Sequence, residues 1–323
     1  FLLLANGITT LSSTDFQLRF ANEAKAYIHA LETERSSPTC PVEKDGTLAG
    51  LRVCKFGPNQ APEVLVWGDH QLASMSEGYS EAARRAGVST WLIAHENCIP
   101  LDGLQTRYAT ANSQSGRICD QHSAQVIQAL PHLPSIKKVS LVADWLLYTN
   151  NNLGHVVRAP VRLGPLDGTP FRTSEQPKYV ETAAYNTVDA LLEQGLRVSV
   201  VRQVPAHPNF DAEIAARAAS PGWWLYQAMP RIQIELPVEA VRARHAQVDD
   251  MFLGLSAIGK VTYVNTWPAF CSATRCSVRG GLSSDYLTGT ELTSSGALML
   301  APILERDLTR VQTHVSLAGL FEN

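Results

Sequence analysis

The chain has 323 residues, 45% of them apolar, enough for a sizeable core and too apolar for an intrinsically disordered polypeptide. Its 27 basic and 30 acidic residues leave a formal net charge of −3 with no block of like charge, which argues against nucleic-acid binding through a basic face and against a polybasic membrane patch. The terminal apolar run Phe1–Ala5 is far short of the roughly 20 residues that span a bilayer. It also lacks the basic start and cleavage site of a signal peptide. Beginning on Phe rather than Met, the chain is expected to be a fragment or processed product, with Phe1–Leu4 the stub of a removed transmembrane helix.

The first element expected is an amphipathic helix over Asp15–Glu34, where Phe16, Leu18, Phe20, Ala24, Tyr27, Ile28 and Leu31 recur among charges. A loop from Ser36 to Pro62 follows, then the short buried strand Val64–Trp67, which runs into Gly68-Asp69. Leu72, Met75, Tyr79, Ala82 and Ala86 have helical spacing, and Gly87 marks the stop. The pattern continues as strand Val88–Ala94, helix Ser123–Leu130 and strand Val139–Ala143, ending at Asp144-Trp145. It resumes as helix Glu181–Gln194 closed by Gly195, strand Val198–Val201, helix Pro237–Leu255, strand Val261–Val264 and helix Gly296–Val311. Strands alternating with helices predict an α/β fold with a mostly parallel, doubly wound sheet covered by helices on both faces. Two segments break the alternation, 150–178 and 206–231, and are expected to be surface excursions; Trp223, Trp224 and Tyr226 in the second are expected to form a satellite core under a loop.

The six cysteines form three sequential local pairs, Cys40/Cys54, Cys98/Cys119 and Cys271/Cys276, none with C-x-x-C spacing. Such pairs bracketing loops read as three disulfides in an oxidising compartment, the alternative being buried free thiols in a cytosolic enzyme. In a parallel sheet, ligands bind where strands end and helices begin, and the Gly68-Asp69-His70 turn is such a place.

The segment Val64-Leu65-Val66-Trp67-Gly68-Asp69 followed by His70-Gln71 resembles the first block of the SGNH hydrolase superfamily, and most of all the SGNH domain fused to membrane acyltransferase-family-three proteins, which O-acetylate bacterial surface polysaccharides. Val139–Trp145 resembles the family's third block, Val198–Pro205 its late strand, and Phe270-Cys271 to Cys276 with Leu292–Ala297 its final block. The resemblance implies a three-layer α/β/α sandwich, with an N-terminal linker and helix over 1–35 and the SGNH-like domain over 36–323. It also favours, among the 15 possible pairings, the disulfides Cys40–Cys54, Cys98–Cys119 and Cys271–Cys276. It further implies a periplasmic or extracellular location, tethered to the membrane in the full-length protein. The partners it implies are a membrane acyltransferase domain upstream in the same chain and a surface glycan.

The departures lie at the triad. Where the family has its nucleophilic serine, this chain has His70, and where the final block has aspartate and histidine it has Thr288 and Glu291. Serine chemistry needs a hydroxyl, a base and a group that orients the base, so these three positions are expected to lie together and not to operate. Gly68, Asp69, Asp144 and Trp145 are expected to line the cleft, with Asp144 near the family's oxyanion-hole asparagine, where a carboxylate repels a developing oxyanion. Ser74 and Ser76 are placed in the helix body beyond the turn, and His95, His122, His155, His207 and His245 are assigned to surface or loops. Asp69, His70, Asp144 and Glu291 are chemically able to ligate a metal, but no His-x-x-x-His spacing supports one; no metal and no cofactor are expected. The function expected is a catalytically degenerate domain associated with polysaccharide O-acylation, acting in binding or scaffolding. The alternatives are an active O-acetyltransferase or esterase using non-standard residues, and a stand-alone glycan-binding module.

Overall fold

The computed structural model describes residues 22–34, 40–108, 113–149, 161–166, 172–219, 232–279 and 283–310. The strands are β1 (Val53–Phe56), β2 (Val64–Gly68), β3 (Thr90–Ala94), β4 (Leu104–Tyr108), β5 (Lys138–Val142), β6 (Val161–Pro165), β7 (Arg197–Val201), β8 (Glu235–Pro237), β9 (Thr262–Val264) and β10 (Arg275–Ser277). The helices are α1 (Asn22–Glu34), α2 (His70–Ser74), α3 (Ser76–Ala86), α4 (Ser113–Ala129), α5 (Trp145–Thr149), α6 (Gln176–Glu193), α7 (Ala212–Ala218), α8 (Val238–Ala257), α9 (Ser294–Met299) and α10 (Ala301–Thr309).

Six strands form the central sheet in the order β1-β3-β2-β5-β7-β9. All neighbours are parallel except β1, which runs antiparallel to β3. The chain moves outward from β2 to β3 on one side and then to β5, β7 and β9 on the other, so the winding reverses between β2 and β5. A crevice opens at the carboxyl ends of strands at such a reversal. The side chains alternate across the sheet as the pleat requires. Leu65, Trp67, Val139, Leu141, Val198 and Val200 enter one apolar layer with Val126, Val180, Val188 and Phe252 of α4, α6 and α8. Val64, Val66, Val142 and Val201 enter the other, with Tyr79 of α3, Tyr27 of α1 and Leu304 of α10. The expected three-layer α/β/α arrangement is what the structure contains.

Two expected helices are each broken in two. The helix after His70 divides at Met75, the C-cap of α2, whose amide turns back to Leu72 and Ala73. The last helix divides at Leu300 because Pro302, in the first turn of α10, has no amide to continue α9. Gly87 does close α3, at a φ of 63° that suits glycine. The helix expected at Ser123–Leu130 begins ten residues earlier as α4, at Ser113. The antiparallel ribbon β4/β6 and the pair β8/β10 were not anticipated, because three- and five-residue strands carry too little period to stand out. Of the excursion residues, 150–160, 167–171 and 220–231 lie outside the described residues, and with them His155, Trp223, Trp224 and Tyr226; Phe16, Leu18, Phe20 and Val311 do as well.

All three expected disulfides form: Cys40–Cys54, Cys98–Cys119 and Cys271–Cys276. They tie Cys40 to β1, the loop after β3 to α4, and the two arms of the turn leading into β10. Among the described residues, no helix is long and apolar enough to cross a membrane.

At the opposite end of the sheet from the crevice, Lys138 of β5 lies 3% exposed and gives its Nζ to Oδ1 and the carbonyl of Asp307 at 2.6 Å each. The other carboxylate oxygen of Asp307 accepts from Ser140 at 3.1 Å and Ser199 at 3.0 Å. The α10 carboxylate thereby joins β5 to β7, while burial pulls the Lys138 ammonium down from its usual range and Asp307 opposes that fall. Removing one partner strands the other charge in the core, so Asp307→Ala is expected to cost about 3–5 kcal/mol. Urea unfolding of the two chains at neutral pH measures it, and a loss no larger than that of a surface substitution would contradict the assignment.

Candidate active-site cleft at the strand ends

Asp69 and His70 follow β2, and Asp144 follows β5, so the reversal in winding places them side by side. Gly68 permits the junction: a Cβ there would stand 2.1 Å from the Val142 carbonyl oxygen of the next strand. Asp69 caps α2, its Oδ1 accepting from the Gln71 amide at 2.8 Å. Its Oδ2 accepts from the Tyr148 hydroxyl at 2.8 Å and from the Asp144 amide at 3.1 Å. Asp144 accepts in turn from Gln203 Nε2 at 2.6 Å and from the Thr290 hydroxyl at 2.9 Å. The His70 ring lies between the two carboxylates, Nδ1 3.5 Å from Asp69 and Nε2 3.4 Å from Asp144. All three side chains are buried. Burial pushes the Asp69 carboxyl up from its ordinary range, His70 opposes the rise, Asp144 adds to it, and the bonds from Tyr148 and Gln71 restrain it.

The cleft beside this cluster has a volume of about 610 Å³, and His70, Ser76, His95, Arg52 and Glu291 are among the residues that line it. Glu291 and Thr288 belong to the loop before α9, where the Thr288 hydroxyl donates to Glu291 Oε2 at 3.1 Å. The structure thus brings His70 and Glu291 to one cleft and ties Thr288 to Glu291. Gly68, Asp69 and Asp144 do not line it; they are buried, the two carboxylates lying against the His70 ring. Trp145 is a core residue: fully buried, it donates Nε1 to the Val201 carbonyl at 3.2 Å and packs edge-on against Phe252. The Asp144 amide, at the strand end where the family's oxyanion hole is expected, is already bound to Asp69.

Other expectations are corrected here. Ser74 and Ser76 are not in one helix body; they flank the break at Met75, and both line the cleft. Ser74 donates to the Gln71 carbonyl at 2.9 Å. His207 does lie in the loop after β7 but is fully buried there, and His245 is neither at the surface nor in a loop but fully buried on α8. His95 lines the cleft with its ring 4.5 Å from that of His122, edge to face. Sequence reasoning missed Tyr148, Gln203 and Thr290; a search for polar side chains just past each parallel strand would have flagged Gln203. Among the described residues, no group of three or more His, Cys, Asp or Glu side chains is placed to hold a metal ion.

A strand-end cleft at a winding reversal, entered by a Gly-Asp turn, defines a hydrolase-like α/β domain of the SGNH type. A model of the SGNH domain fused to AT3 domains matches residues 39–306, and the chain belongs to that family. The fold is similar to the periplasmic domain of the lipopolysaccharide acetyltransferase of Salmonella ser. Paratyphi A, with a TM-score of 0.56 and 14% identity over 88% of this chain and 96% of that one. At a TM-score of 0.40 and 11% identity, a GDSL-like lipase of Bacteroides thetaiotaomicron covers 89% of this chain, with 99% of its own length aligned. No curated protein matches at a significant level.

The two buried histidines give the domain an acid limit. Burial, with Arg244 and His245 nearby, lowers His207 from 6.5 to about 3. Burial likewise lowers His245 from 6.5 to about 4, with Arg202 and Arg244 assisting and Asp249 and Asp144 opposing. Below pH 6.5 the unfolded chain therefore takes up protons that the folded chain refuses. The stability these groups leave intact above 6.5 is lost as the pH falls toward 4 and 3. At about 1.4 kcal/mol per pH unit for each, unfolding free energy should drop by about 3–4 kcal/mol between about pH 7 and about pH 5. Urea titrations at the two pH values check it, and equal stability at both would refute it.

Proposed function

We propose that this chain is an extracytoplasmic domain associated with O-acylation of a cell-surface polysaccharide, and that its cleft binds glycan without carrying out serine chemistry. The observation that carries the reading is the residue at the β2 elbow. The hydroxyl nucleophile of a serine mechanism is replaced there by an imidazole set between two buried carboxylates. At the base position Glu291 takes its hydrogen bond from Thr288, and a carboxylate there is a weaker base than the imidazole it replaces. The family's fusion to AT3 domains supports a membrane acyltransferase domain as the covalent partner and a membrane tether for the whole protein. The likeness to a periplasmic domain and the three disulfides support a place outside the cytoplasm.

A second reading, an acetyltransferase with non-standard residues, is favoured by one observation: Ser76 opens α3 and faces the same cleft as His70 and Glu291. Incubation with p-nitrophenyl acetate separates the two. The unmodified chain is expected to release p-nitrophenol no faster than a His70→Ala variant and to gain no acetyl group, an increment of about 42 Da on a nucleophile. His70→Ser is expected to remain inactive, since the base is still absent. A stoichiometric acetyl adduct mapped to this cleft, on Ser76 above all, would replace the first reading with the second.

A further inference from the structure

Next to the Thr288–Glu291 loop, five buried polar atoms have no hydrogen-bond partner among the described residues: His207 Nδ1 and Nε2, His245 Nδ1, Arg244 Nη1 and the Tyr286 hydroxyl. Contacts gather His207, His245 and Tyr286, and Arg244, which precedes His245 on α8, lies near enough to act electrostatically on both histidines. The Ala206 amide donates to His245 Nε2 at 3.3 Å, which seats α8 against residues 206 and 207. The His207 amide donates to the Gly289 carbonyl at 2.7 Å, which seats the same residues against the loop. Glycine is required at 289, where a Cβ would lie 2.4 Å from the His207 carbonyl oxygen. The His207 ring meets the Tyr286 ring edge-on at 5.2 Å.

Each of these residues can donate: the neutral His207 from one ring nitrogen, His245 from Nδ1 because its Nε2 accepts from Ala206, Arg244 from its guanidinium and Tyr286 from its hydroxyl. Arg244 is half-buried, its guanidinium held down by burial alone, and no described carboxylate pairs with it. The two carboxylates that face His245 are engaged elsewhere, Asp249 by Arg202 and the Tyr263 hydroxyl and Asp144 by Gln203 and Thr290. Buried donors left unpaired and a partly buried cation without a counter-charge are both unfavourable, and a group rich in acceptors with negative charge relieves both at once. We infer that His207, Arg244 and the Tyr286 hydroxyl form a recognition site for a small oxyanion, a carboxylate or phosphate group, beside the main cleft. Arg244 is half-buried and His207 fully buried, so the guanidinium is the member that solvent reaches. A carboxylate of an acidic sugar and free inorganic phosphate share this chemistry. The site stands or falls independently of what the main cleft does.

The test uses the disulfide-intact chain with three probes, glucuronate, inorganic phosphate and glucose, followed by calorimetric titration. Glucuronate or phosphate is expected to bind, and glucose is not. Arg244→Gln is expected to weaken that binding by about tenfold or more, as loss of a charge-assisted contact does. It should leave the unfolding temperature unchanged, because Arg244 bonds to no described residue. Preference for glucuronate assigns the site to an acidic sugar, and preference for phosphate assigns it to the free anion; both support it. As a readout without a variant, the ring 15N resonances of His207 in the unmodified chain should shift on titration with the anion that binds. Failure of both anions to bind at millimolar concentration, equal binding by Arg244→Gln, equal binding of glucose, or unmoved His207 resonances would overturn the inference.

Discussion

Two buried carboxylates at neighbouring strand ends repel each other, and much of what surrounds the cleft serves to hold them there. The parallel pairing of β2 with β5 makes the juxtaposition unavoidable, because strands that begin in register also end in register. Asp69 is held by the amides of Gln71 and Asp144 and the Tyr148 hydroxyl. Asp144 is held by Gln203 from the end of β7 and by Thr290 from the loop before α9. With the imidazole of His70 set between them, the ends of β2, β5 and β7 are joined by a single polar network. Such networks specify one arrangement when every member is satisfied.

The same network has consequences for chemistry. A catalytic strand-end cleft keeps its donors free for the charge that develops on a substrate, whereas here the Asp144 amide is bound to Asp69 and the Thr288 hydroxyl to Glu291. On the proposed reading, polar groups that an enzyme reserves for a transition state have been turned inward to support the fold. The cleft above them keeps a volume of about 610 Å³ and a mixed lining that includes Arg52, His95 and Glu291, and on that same reading it is the part that takes the glycan.

The layer architecture was legible because its signals are periodic: Val64–Trp67 and Val198–Val201 are short unbroken apolar runs, and the residues of α3 and α6 recur at helical spacing. The Gly-Asp turn was legible through the family resemblance of the block around it, and the cysteine pairing through that resemblance together with the short loops the pairs bracket. The helix breaks at Met75 and Leu300 were not, since Pro302 is compatible with either a start or a kink and Met75 carries no local signal at all. The burial of His207 and His245 was hidden for a different reason. A histidine in a loop or on a helix reveals its surroundings only through tertiary contacts, here Gly289 for His207 and Ala206 for His245. Thr290 was obscured by its neighbours Thr288 and Glu291, which occupy the positions that the family resemblance singles out.

The antiparallel strand β1 carries one more consequence. Outer strands of a sheet present unpaired amides and carbonyls to which a strand from another molecule can add. On one flank of this sheet the outer strand is β1, four residues long, with Cys54 bonded to Cys40 and Lys55 turned outward to Glu43 at 2.7 Å. On the other flank β9 has three residues. Neither margin offers a flat, apolar run on which a second chain could grow, so the sheet is guarded against strand-by-strand aggregation by brevity on one side and by a covalent clasp with a charged side chain on the other.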